Sequence, residues 1–98
     1  MNYQEFISEI NSDVDEDTTI IMTKGVHINN YIALHQKWKF DGLIAESLIF
    51  KTSQVQSLDK LQLISLVKQE LPELIFTESE ITYSTNELHT FLNFNFRY

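Results

Sequence analysis

The dipeptide Asp41-Gly42 constrains this chain more than any other local feature. It stands between two apolar runs, YIALHQKWKF and LIAESLIF. A two-residue Asp-Gly loop between such runs favours a type I′ β-hairpin. The first run alternates: Ile32, Leu34, Trp38 and Phe40 share one face, and Ala33, His35, Lys37 and Lys39 share the other. Gln36 is the polar member of the apolar face. The tight turn then sets a register in which Phe40 faces Leu43, Trp38 faces Ala45, Leu34 faces Ile49 and Lys37 faces Glu46. Apolar meets apolar, and one opposite-charge pair forms. The competing reading makes Asp41 an N-cap and 43–51 a helix, because Leu, Ala and Glu are good helix formers. The register match favours the hairpin.

The flanking segments supply the other elements. Tyr3, Phe6, Ile7 and Ile10 fall at helical spacing, with Asn2 and Glu5 placed as a capping box and an end near Asn11. Thr18 to Thr23 is β-branched and reads as a strand that breaks at Lys24-Gly25. Ser57 is placed to cap a second helix with Leu61, Ile64, Val67 and Leu71 as its stripe and Leu63 on the same arc; Pro72 stops it. Ile81 and Tyr83 alternate up to a turn at Asn86-Glu87. Leu88, Leu92, Phe94, Phe96 and Tyr98 then share one face of a final strand, with His89, Asn93, Asn95 and Arg97 on the other. A two-residue turn there pairs Ile81 with Leu92.

The order is α-β-β-β-α-β-β. The expected fold is α+β: a single antiparallel sheet of about five strands with two helices on one face. A chain of 98 residues implies one domain, 1–98, burying roughly two thirds of its unfolded surface. The final strand is long and aromatic. At an edge it would offer a route to a homodimer by strand pairing.

The absence of cysteine excludes disulfides, thiol catalysis and thiolate metal sites. It fits a reducing cytosol, so a cytoplasmic location is expected. No apolar run approaches the roughly 18 residues of a membrane span, and MNYQEFISEI lacks the basic region of a signal peptide.

Charge is segregated. Residues 1–17 hold six acids and no base, residues 18–68 six bases and three acids, and residues 69–98 five acids with Arg97 as the base. The net charge of −7 disfavours direct contact with nucleic acid or anionic membranes and suits a basic protein partner. The acids concentrate in two segments: Asp13, Asp15, Glu16 and Asp17, and then Glu73, Glu78 and Glu80. Self-neutralisation against the basic middle of the chain is the competing explanation.

The first segment reads D-x-D-x-D, like the start of a calcium loop, but Thr18 stands where Gly is required and Lys24 where Glu is required. It is read as a solvated helix-to-strand joint or as half of a partner surface. His27, His35 and His89 lack zinc-motif spacing and read as surface histidines. Glycines at 25 and 42 make no phosphate loop, and no serine lies in G-x-S-x-G. Lys37, Trp38 and Lys39 mix base and aromatic as nucleic-acid binders do, but two lysines are few against this net charge, and Trp38 reads as core. No catalytic residue, cofactor or metal is expected.

Three resemblances accompany these readings. KWKFDGLIAESLIF resembles the hairpin of NTF2-like (SnoaL-type) domains over about 14 residues; the long N-terminal helices that build that family's pocket have no counterpart here. That likeness implies a small enzyme with a deep apolar pocket. The element order is similar to that of acidic type III secretion chaperones, which implies a homodimer with exposed apolar grooves; their final helix has no counterpart in a chain ending at Tyr98. The short, acidic, Ile/Asn/Phe-rich style is similar to bacterial toxin-immunity proteins and phage inhibitors such as anti-CRISPR proteins. The leading expectation is an immunity protein that occludes a basic toxin such as a nuclease, with Asp13, Asp15, Glu16, Asp17, Glu73, Glu78 and Glu80 as its contacts.

Overall fold

The computed structural model of the chain describes residues 3–12, 14–74, 76 and 80–97. Helix α1 (Tyr3–Ser12) leads into strands β1 (Thr18–Ile28), β2 (Tyr31–Phe40) and β3 (Leu43–Lys51). A short helix α2 (Thr52–Val55) and a longer one, α3 (Lys60–Glu70), precede β4 (Thr82–Thr85) and β5 (His89–Arg97). The strands form one five-stranded antiparallel sheet in the order β1-β2-β3-β5-β4. The class is α+β, and the longer elements follow the order α-β-β-β-α-β-β; α2 is an additional turn of helix.

Asp41 and Gly42 both take positive φ, 49° and 81°, as a type I′ turn requires. The register that follows is the one the residues dictate: Phe40 opposite Leu43, Trp38 opposite Ala45, Lys37 opposite Glu46 and Leu34 opposite Ile49.

The two longer helices cover opposite faces of the sheet rather than sharing one. Phe6 and Ile10 of α1 pack with Leu34 and Ile49. Leu63, Ile64 and Val67 of α3 pack with Ala33, Leu48, Phe50, Leu92 and Phe94. Neighbours in sequence such as Leu48 and Ile49 point to opposite sides of a strand, so these are two separate layers. The apolar face of β2 and the apolar face of β5 are therefore different faces of the sheet, and each needs its own helix.

Local chemistry adjusts several other boundaries. The N-cap of α3 is Asp59, not Ser57: its carboxylate accepts from the Gln62 backbone N–H, and Gln62 Oε1 accepts from the Asp59 N–H, both at 2.9 Å. The buried stripe of α3 is Leu63, Ile64 and Val67, and Leu61 faces solvent. In the β4–β5 hairpin, residues 86 to 89 lie between the paired Thr85 and Thr90, and Asn86 Oδ1 accepts from the N–H groups of Leu88 and His89. Tyr83, not Ile81, sits opposite Leu92, a shift that preserves the faces. The strand β5 lies inside the sheet, paired with β3 and β4 over Thr90–Asn93, so this stretch is not an edge. The proposed cap Asn2 and the terminal Tyr98 lie outside the described residues.

Strand β1 continues through Lys24-Gly25 to Ile28. Gly25 is there for close approach: a Cβ at this position would fall inside the Tyr3 ring of α1. The substitution Gly25→Ala should therefore lift the start of α1 and cost about 1–3 kcal/mol by overpacking. Urea unfolding checks this, and in a Tyr3→Ala background the same change should cost far less.

Candidate partner-binding surface

Three side chains of α1, Tyr3, Phe6 and Glu9, fasten it across the sheet. The Tyr3 hydroxyl and His27 Nδ1 share a hydrogen bond of 2.8 Å. Phe6 is fully buried and stacks on His89. Glu9 accepts from Lys51 Nζ at 3.1 Å and from His89 Nε2 at 2.9 Å. The Lys51 ammonium beside it, against some desolvation, and the His89 contact hold the Glu9 carboxyl below its usual range. His89 is 3% exposed, so it is not a surface histidine.

The helix ends at Ser12, and the sheet runs on beyond it. The chain then turns, with the Thr18 N–H donating to the Asp15 carbonyl at 3.0 Å. The uncovered part of this face is an open cleft of about 230 Å³, walled by Val14 and Asp15, floored by Ile20, Ile49 and Phe91, and including Trp38, Ser47 and Asn93. Trp38 is half-buried here and is not part of the closed core. A polar ladder crosses β2, β3 and β5: Trp38 Nε1 donates to Ser47 Oγ at 2.7 Å, and Ser47 Oγ donates to Asn93 Oδ1. Gln36 is buried beside it and satisfied, donating to Thr23 Oγ1 at 3.2 Å and to Asn11 Oδ1 at 3.5 Å.

The first acidic segment borders this cleft. Asp15 lines it; Asp17 lies with Phe40 and Asp41 in an adjoining hollow at the β2–β3 turn. Glu16 is exposed between them. Among the described residues no lysine or arginine lines either hollow. Phe40, in the hollow with Asp17 and Asp41, is 38% exposed, and Ile21, further along β1, is 54% exposed. Ile21 sits where a bulge interrupts the pairing of the edge strand β1.

The second segment goes elsewhere. Glu73 lies on the α3 face, in a hollow with Lys24, Lys37, His35 and Glu46. Glu80 borders another hollow with Glu46, Asn95 and Arg97. Asp13 and Glu78 lie outside the described residues. Among the described residues the acids do not form one continuous patch: Asp15 borders the α1 face, whereas Glu73 and Glu80 lie near Glu46 among basic groups.

Glu46 itself was not legible as a site. Its carboxylate accepts from His35 Nε2 and Asn95 Nδ2, each at 2.7 Å. Asn95 takes φ 55° at the bulge of β5, which brings its amide to Glu46. Burial pushes the Glu46 carboxyl up, but the Asn95 and His35 hydrogen bonds outweigh this and hold it below its usual range. His35 and His89 lie on opposite faces and make no pair.

Comparison with protein-family models, curated proteins and solved structures finds no match to this chain. No helix among the described residues is long and apolar enough to cross a membrane.

The lowered Glu46 and Glu9 carboxyls give acid sensitivity a sign. Their contribution is complete above the unfolded carboxylate range and is lost as pH falls through the lower folded values. Replacing Glu46 with Gln should destabilise the protein most at neutral pH, and the gap to wild type should narrow as pH falls. Chemical denaturation across that range measures it; a gap that stays constant would contradict the assignment.

Proposed function

We propose that this protein is a small acidic inhibitor that binds and occludes a basic protein, as an immunity protein does with a toxin such as a nuclease. The observation that carries this is the company of the first acidic segment. Asp17 and Asp41 share a hollow with exposed Phe40, Asp15 lines the open cleft, Glu16 is exposed between them in the chain, and no base among the described residues lines either hollow. Carboxylates in such a setting steer a basic partner and choose it, while apolar groups at the centre supply the desolvated contact. Glu73 and Glu80, which the sequence groups as a second patch, lie among Lys24, Lys37 and Arg97. Their field is largely cancelled locally, so they contribute less to steering. A phage-encoded inhibitor of a nucleic-acid-handling complex would use the same surface on a different target.

The test begins with a protein retained from the native source on immobilised wild type. Its association with Asp15→Lys/Glu16→Lys/Asp17→Lys should be slower by an order of magnitude or more at low salt, with the difference shrinking as salt rises. Equal association rates would overturn the reading.

A second reading, a homodimeric chaperone-like module, is favoured by one feature. Leu61 is 72% exposed beside Leu58 and Leu66 in a shallow apolar hollow on the outer side of α3. It predicts a dimer mass by light scattering that reverts to monomer on Leu61→Glu. A monomer at all concentrations would remove it.

A further inference from the structure

We propose that the cleft beyond the end of α1 is a socket for one arginine side chain of the basic partner. This rests on the reading of the acidic edge as a partner surface and names what that partner inserts. A cleft of about 230 Å³ is smaller than the pockets that hold whole metabolites, and suits a single long side chain.

Three donors near the cleft are already spent inside the protein: Trp38 Nε1 on Ser47, Ser47 Oγ on Asn93, and Gln36 Nε2 on Thr23 and Asn11. The acceptors the walls then offer are the Asp15 carboxylate and the Gln36 amide oxygen, with the Thr18 hydroxyl able to accept or donate. Guanidinium is the complementary group, with five donors and no acceptor. Asn93 Nδ2 is the side-chain amide donor left over, and it suits a backbone carbonyl of the same partner segment.

The surroundings fit the rest of the residue. Because its N–H is tied to Ser47, the Trp38 indole is held in one orientation, and a planar guanidinium stacks on such a ring better than an ammonium does. Ile20, Ile49 and Phe91 offer an apolar bed for the methylene stem. Asp15 supplies the opposite charge at the mouth.

The probe is an end-blocked Ala-Arg-Ala peptide titrated into the full protein, read by amide and indole NMR resonances. The Trp38 indole N–H and the Asn93 side-chain amide should shift saturably. The citrulline peptide, neutral and isosteric, should leave them in place, and the lysine peptide should bind more weakly by about threefold or more. Asp15→Asn should weaken the arginine peptide by about fivefold or more. The socket is overturned if citrulline acts like arginine. It is also overturned if arginine moves only Glu16, Asp17 and Asp41. Equal binding of lysine overturns the guanidinium assignment. These outcomes separate from the inhibitor reading. A partner slowed by charge reversal with Trp38 silent leaves the acidic edge standing and removes the socket. Arginine seating at Trp38 with no effect of charge reversal on a partner does the reverse.

Discussion

Strand β3 is buried on both sides, and the architecture follows from that. From Ala45 to Phe50 every residue is buried. Leu48 and Phe50 face one layer, and Ala45 and Ile49 the other. A strand in this condition needs cover on both faces, whatever the class of the sheet around it. The α3 helix supplies one cover and α1 the other. Its two polar members survive burial because each is answered across the strands: Glu46 by His35 and Asn95, Ser47 by Trp38 and Asn93.

The covers are unequal. The α3 helix meets a broad apolar layer contributed by β2, β3 and β5, whereas α1 meets chiefly Leu34 and Ile49 and stops at Ser12. At the other end of the second face Trp38 and Asn93 are half-buried beside the open cleft, with Ser47 buried between them. The chain leaves α1 through the first acidic segment, so the open end falls beside carboxylates whose hollows are lined by no base among the described residues. The acids of the opposite face lie among lysines and an arginine instead. A single acidic composition therefore produces two electrically different surfaces, and the contrast, rather than the total of −7, is what bears on function.

The parts legible in the sequence were those governed by short-range rules. The Asp41-Gly42 turn fixed the β2–β3 register, the 3-6-7-10 spacing marked α1, and Pro72 marked the end of α3. What was missed depends on long-range contact. LIAESLIF is nearly continuous in apolar residues, which is the signature of two-sided burial; Glu46 and Ser47 disguised it as the partner of an alternating strand. The shared-face arrangement was the simpler solution, but it would have left either Leu34 or Leu92 in water. Glu9 and His89 stand 80 positions apart, so no spacing could reveal their bond. The cleft was invisible for the same reason: Trp38 can be placed only once it is known which face α1 covers and where it stops. The acidic segment was visible, but the hollows it borders were not.

The placement of the two helices is tested most directly by through-space proton contacts in a nuclear Overhauser spectrum. The account predicts contacts from the Phe6 ring to the methyl groups of Leu34 and Ile49, and from Val67 to Leu48 and Leu92, with the Trp38 indole free of contacts to α1. Phe6 and Val67 both touching Leu48 and Leu92 would place the helices on one face and contradict the account, along with the cleft that depends on it.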